Sequence, residues 1–317
     1  MSDRGTVATT ERGAETAMTD SKLRVLPQHT DHPRAYHENK YVYPVLSRRS
    51  RGISIGINLN PDKICNFDCV YCQVDRRSDA ELRFVDTDRL LRELDSTVTL
   101  VTSGALFEDP AFASVPEPLR RLNDFAFSGD GEPTTLKNFG DIVDQVATLK
   151  RRHGLDRVKL VAITNASMFH RPDVLNTLER LVAAPGEVWA KLDAGTEEYF
   201  RLIERTPIPF SRILANLELA SKRFPIVIQS LFLRYEGVPP DAEEMNAYIG
   251  CLEKILTSGG RIDRVQIYTI ARPPAESVVA ALSDDEVDQI VNQVRARLPI
   301  SVEAYYGSGK TKGNTSR

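Results

Sequence analysis

No stretch of this 317-residue chain approaches the ~18–20 consecutive apolar residues that a membrane-crossing helix needs. The opening residues lack a basic segment followed by an apolar run, so no secretory signal is visible. Neither sign of charge dominates. Lysine and arginine number 41 against 44 aspartates and glutamates, a net of −3. The molecule as a whole is therefore not an electrostatic nucleic-acid binder, although a local basic patch is still allowed. Cysteine is scarce, at four residues, which is too few for a disulfide framework. A reducing cytoplasm is the expected compartment.

What cysteine there is, is concentrated. Cys65, Cys69 and Cys72 fall within eight residues in a C-x3-C-x2-C spacing. They follow Ile53–Leu59, an apolar run that reads as a buried strand. A tight loop at a strand's C-terminal end can turn three thiolates towards one point. Such soft ligands favour an iron–sulfur cluster, zinc or Cu(I). Most clusters take four cysteines; three would leave one iron open to a ligand that is not protein. Closed zinc sites want a fourth protein ligand. The candidates are Cys251, His29, His32, His37, His153 and His170, none of them inside the loop. Cys251 lies in a helical pattern beside Leu252 and Ile255 and reads as a small buried hydrophobe. Three clustered thiols are more than a nucleophile needs.

Residues 1–35 are polar and without period, and are expected to be disordered. A lead-in over 36–52 sets Tyr36, His37, Tyr41 and Tyr43 beside Arg48, Arg49 and Arg51. That mixture suits stacking on bases and pairing with phosphates, or simply packing against the body of the fold. From Ile53 onwards strands and helices alternate. Further strands are expected over 124–128, 158–164, 188–193, 226–233 and 264–270, with a short one at 300–304. Helices are expected from Asp86 or Thr87 with a stripe of Leu90, Leu91, Leu94, Val98 and Val101, then near 116–122, from Phe139 to Leu149, and over 171–183, 196–204, 211–223, 241–258 and 283–297. Near-continuous apolar strands alternating with helices argue for a parallel α/β sheet covered by helices, with ligands at the strands' C-terminal ends. Six units fall short of a closed eightfold barrel. The tail 307–317 is expected to be flexible. It is not a P-loop, because Ala304 stands where the first glycine is required and no helix follows.

The cysteine spacing, with Tyr71 ahead of the last cysteine, resembles the signature of the radical S-adenosylmethionine (SAM) enzymes. Ser128–Thr134 resembles that family's glycine–glutamate SAM-binding turn. Ile163–Asn165, Lys191–Ala194 and Gln266–Pro274 fall at later strand ends. In combination the chain is most similar to the wyosine-synthase-like branch, over roughly residues 41–306. The resemblance implies an α/β fold: a (β/α)6 partial TIM barrel with helices outside, forming one core domain over 36–306. It implies a [4Fe–4S] cluster on Cys65, Cys69 and Cys72, with SAM chelating the open iron and an electron supplied by a flavodoxin or ferredoxin. The expected SAM contacts are Tyr71, Gly129, Gly131, Glu132, Thr164, Asn165, Asp193, Gln229 and Tyr268. Lys191 and Arg272 are candidate substrate contacts. Turn formation, capping and barrel-filling ion pairs are the alternatives for these polar groups. The substrate is unspecified, with RNA bases one candidate. Archaeal wyosine synthases hold a second cluster on extra N-terminal cysteines, whereas no cysteine precedes Cys65. Pyruvate condensation is therefore not carried across. A metal-bound interaction protein without turnover is the alternative.

Overall fold

The computed structural model describes residues 36–272 and 276–307. The expectations for 1–35, for 308–317 and for Pro273 and Pro274 fall outside these. Strands β1 (Val42–Ser47) and β2 (Gly52–Ile57) form a hairpin. Helix α1 (Thr87–Thr102) follows, then β3 (Leu122–Phe127), α2 (Phe139–Arg152), β4 (Lys159–Thr164), α3 (Pro172–Ala183) and β5 (Gly186–Lys191). Helices α4 (Glu197–Glu204) and α5 (Phe210–Arg223) precede β6 (Ile226–Leu231), β7 (Leu233–Tyr235) and α6 (Ala242–Thr257). The fold ends with β8 (Ile262–Tyr268), β9 (Val279–Ala281), α7 (Asp284–Arg297) and β10 (Ser301–Tyr305).

Eight strands make one sheet in the order β1-β2-β3-β4-β5-β6-β8-β10. Every pairing from β2 onwards is parallel, and β1 alone runs antiparallel, against β2. This is the parallel α/β sheet that the alternation predicts and the partial barrel that the resemblance implies, with β1 and β10 as its edges. Among the described residues no helix is long and apolar enough to cross a membrane.

Side-chain alternation along each strand divides the core in two. Ile53, Ile55, Leu160, Val188, Ile228 and Val265 face the helices in one large cluster. Ala126, Val161, Trp189 and Val227 form a separate small layer with Ile163, on the inner face. Polar residues share that face: Ser54 donates to Asp124 across β2 and β3, and Arg264 pairs with Glu187. Caps set the helix starts. Asp86 accepts from the Arg89 amide at 3.0 Å, and Ser283 and Glu286 form a reciprocal capping box on α7.

Two expectations are corrected, and the lead-in takes a definite form. It contains a strand, β1, and buries Tyr41 and Tyr43 to 2% and 5% exposure, in keeping with the packing alternative. The start of β1 is tied to α1, where the buried Glu93 accepts from the amides of Lys40, Tyr41 and Val42. The run 226–233 breaks at Phe232, because β7 leaves the sheet to pair with β9. The helix expected over 116–122 is a 3-10 turn, Glu117–Leu119, preceded by another at Ala105–Glu108.

Candidate active site

The cysteine loop leaves β2 at the sheet's C-terminal rim and is fastened on several sides. Asp68 and Val70 donate backbone N–H groups to the carbonyls of Glu204 and Ile203, at 3.1 and 2.9 Å, which stitches the loop to the end of α4. Asn66 donates to Ser167 Oγ at 2.7 Å and accepts from Asn165 Nδ2 at 2.8 Å, and its carbonyl takes the Thr206 hydroxyl at 2.8 Å. Phe67 packs edge-on against Phe200, their ring centres 5.8 Å apart. These contacts fix the loop that carries the three thiols.

The turn after β3 lies directly on this loop. A Cβ on Gly129 would stand 2.2 Å from Asn58 Oδ1, and one on Gly131 would stand 2.2 Å from the Ile64 carbonyl oxygen, next to Cys65. Only glycine lets the two backbones approach so closely. Asn58 Nδ2 donates to Asp130 at 2.7 Å and its Oδ1 accepts from the Asp130 amide at 3.1 Å, which locks turn to loop.

Glu132 is 3% exposed. Its Oε1 accepts from the Thr134 amide, the Thr134 hydroxyl and, at 2.6 Å, the Thr164 hydroxyl, while Oε2 accepts from the Asn165 amide at 2.6 Å. Burial raises its pKa against those bonds. Glu132, Thr164 and Asn165 thus join the β3 turn to the end of β4, bonding one another, Thr134, Asn66 and Ser167 at the wall of the cavity described below.

A second knot sits under Tyr71. Its hydroxyl donates to Asp193 and lies 3.0 Å from Glu204 Oε1, and Lys191 Nζ reaches the same hydroxyl. Lys191 pairs with Asp193 at 2.9 Å and lies 4.2 Å from the centre of the Tyr71 ring. Asp193 also accepts from the Leu231 amide at 2.7 Å. Its side chain has no exposed surface and ties Tyr71, Lys191 and β6 together. The pKa of Lys191 is lowered by burial but ends well above its ordinary value through Asp193. Glu204, which also contacts Cys69, is pushed up to about 8 by burial and by the charge of Asp193.

All three cysteines, Gly129, Gly131, Lys191, Gln229, Tyr268 and Arg272 line one cavity of about 350 Å³ at the rim and interior of the barrel. Gln229 donates to Gln266 at 2.8 Å across β6 and β8. Tyr268 faces the guanidinium of Arg49. The Arg272 carbonyl takes the Gln73 side chain at 3.4 Å, which brings the segment after β8 over the cysteine loop. The sequence singled out none of Asn58, Glu204 and Trp189, whose partners Asp130, Tyr71 and Arg49 lie far away in the chain. Asn66 and Gln266 sat inside the quoted motifs without a role of their own.

Residues 59–245 match the family model described as the radical SAM superfamily. The chain belongs to that superfamily. A UPF0026 protein of Helicobacter pylori (strain J99) is 27% identical over 249 residues, covering 77% of this chain and 70% of that protein. A Brachyspira hyodysenteriae protein named GTPase Obg is 25% identical over 279 residues, 86% of this chain. The chain spans 36% of that relative's length. A solved structure of TYW1 with a lysine–pyruvate adduct bound shares 15% identity, covering 78% of this chain and 74% of that one, with a TM-score of 0.48.

Radical SAM enzymes work with an iron–sulfur cluster and SAM, and the donor set fits both. The three thiols are free of disulfides, partly exposed and turned into one cavity. Among the described residues no three His, Cys, Asp or Glu side chains are drawn around a single point. A cluster takes one thiolate per iron and so does not need them to be. Burial raises the pKa of Cys65 and Cys69, so loading releases their protons. The paired glycines pack directly on the loop and line the same cavity as the thiols.

Proposed function

We propose that this radical SAM protein holds one [4Fe–4S] cluster on Cys65, Cys69 and Cys72 and binds SAM between the cluster and the Gly129–Gly131 turn. When bound, the cluster supplies the electron that breaks the sulfonium C–S bond of SAM, giving a 5′-deoxyadenosyl radical that abstracts hydrogen from the substrate. The observation that carries this reading is the Gly131 backbone lying against the Ile64 carbonyl, with both segments lining the cavity that receives the thiols.

The chain's own residues bind, orient and shield. Gly129 and Gly131 present backbone N–H and carbonyl groups to the amino-acid end of SAM. Glu132, Thr164 and Asn165 keep that turn in register with β4. Tyr71, fixed by Asp193 and Lys191, supplies a ring beside the last cysteine. A flavodoxin or ferredoxin is the proposed electron donor. Burial of Tyr41 and Tyr43 supports the packing reading of the lead-in over an RNA-stacking face.

The test is anaerobic reconstitution, reduction and addition of SAM. The expected result is about four irons and four sulfides per chain, an EPR spectrum that SAM shifts, and release of 5′-deoxyadenosine that Cys69→Ala abolishes. One zinc per chain with no release would overturn the reading in favour of an interaction protein, and release that persists in Cys69→Ala would remove that cysteine from the site.

A further inference from the structure

We propose that Arg48, Arg49 and Arg272 form an anion compartment in the same cavity, which holds a carboxylate or phosphate of the substrate. Calling the ligand a substrate rests on the radical SAM reading; the compartment itself does not.

Arg48 and Arg49 occupy the tip of the β1–β2 hairpin, where arginines ordinarily point into water. Here both are partly buried and line the cavity with Arg272. The Arg49 guanidinium lies 4.7 Å from the centre of the Tyr268 ring and 5.8 Å from that of Trp189. Stacking on a ring fixes the guanidinium plane and leaves its N–H edge available, the geometry that takes an oxyanion by two parallel bonds. Arg48 donates to the Tyr306 carbonyl. Among the described residues neither Arg48 nor Arg49 has a carboxylate partner.

Arg264 on β8 differs, pairing with Glu187, Asp263 and Glu303. Arg76, which also lines the cavity, is held at the cysteine loop by the Lys63 carbonyl and lies 3.5 Å from Cys72 Sγ. The acids that line the cavity are engaged elsewhere: Asp124 with Ser54, Asp130 with Asn58, and Glu132 with Thr134, Thr164 and Asn165. Burial, with Arg49 and Arg272 close by, holds the Arg48 pKa down to about 10. The cations repel one another in a partly dry space, and an anion relieves that repulsion.

Cysteine loop, glycine turn and Asn165 follow β2, β3 and β4, whereas the arginines and their rings come from the β1–β2 turn, from β5 and from the end of β8, in the same cavity.

Trp189 is the chain's single tryptophan and reports on Arg49. The full chain is titrated with inorganic phosphate, pyrophosphate or acetate, against sodium chloride at equal ionic strength, while Trp189 emission is followed. A saturable change with phosphate or acetate and none with chloride is expected, and whichever of the two binds tells phosphate from carboxylate. Arg49→Gln and Arg272→Gln are expected to weaken binding about tenfold or more, as loss of a charge-assisted bond does. Arg51→Gln, exposed on the same turn, is expected to leave it unchanged, and far-UV circular dichroism checks the fold of each variant. No oxyanion response, or equal responses in the Arg49 and Arg51 variants, would overturn the compartment. Competition by SAM for the same signal would overturn the substrate assignment. Release of 5′-deoxyadenosine without an oxyanion response sinks this inference alone. An oxyanion response without release, in protein with its full iron, leaves the compartment standing and sinks the radical reading.

Discussion

Asp193 receives the Leu231 amide, the Tyr71 hydroxyl and the Lys191 ammonium with no exposed side-chain surface of its own. Taking one partner from a buried ion pair leaves the other charged and desolvated, which costs more than the intact pair contributes. Asp193→Ala is therefore expected to lower unfolding stability by about 3–5 kcal/mol. Asp193→Asn keeps an acceptor for Leu231 and is expected to cost about 1–3 kcal/mol. Adding Lys191→Met to the Asp193→Asn chain is expected to recover part of the loss, because the stranded cation goes with it. Urea unfolding of the four chains measures this. A loss in Asp193→Ala below about 1 kcal/mol, the range of an exposed pair, would show that the knot under Tyr71 opens to water. The pair itself was legible in the sequence, because Lys191 two positions back shares a strand face with Asp193 and a barrel-filling ion pair is one of the alternatives that spacing offers.

At the scale of elements, the glycine turn and the cysteine loop act as one unit. The contact missing a side chain at Gly131 is with backbone, the Ile64 carbonyl, which cannot swing aside. Gly131→Ala is expected to push the loop and Cys65 away and lower reconstituted iron at least severalfold while the helical circular dichroism stays. The control is Gly250→Ala in α6, where a Cβ meets nothing within 4 Å. There the change is expected to stabilise the helix by up to about 1 kcal/mol and leave iron content alone. Equal iron in both variants would mean that the turn does not set the loop's position. These two segments were legible in the sequence because each is a local spacing: cysteines at fixed intervals, then glycines followed by Glu132. The strands β2 to β6 and β8 were legible because both their faces are covered and they read as apolar runs. Strand β1 was not. Pro44 interrupts it, which is tolerated because β1 is an edge strand, and three arginines follow closely. What Arg48 and Arg49 face depends on how the open barrel brings its edges together, and no local pattern records that.

For the whole molecule, the decisive feature is that its large core runs unbroken from Tyr41 in the first described turn to Val302 in the last strand. Neighbouring parallel strands are joined by crossovers, so each strand's packing depends on segments far away in sequence. At one edge Glu93 holds the amides of Lys40, Tyr41 and Val42, and at the other Leu298 buries itself ahead of β10. If the residues described here are one cooperative unit, damage at either edge must lower the stability of the middle by the same amount. Trp189 in β5 reports the middle, and far-UV circular dichroism reports the whole. Glu93→Ala strands several buried amides and is expected to cost about 3 kcal/mol or more. Leu298→Ala is expected to cost about 2–5 kcal/mol. In each variant both probes are expected to move to the same new urea midpoint. A circular-dichroism midpoint that shifts in Glu93→Ala while the Trp189 midpoint stays would divide the chain into separately folding parts. The hairpin that delivers Arg48 and Arg49 to the cavity would then be an attachment rather than part of the barrel.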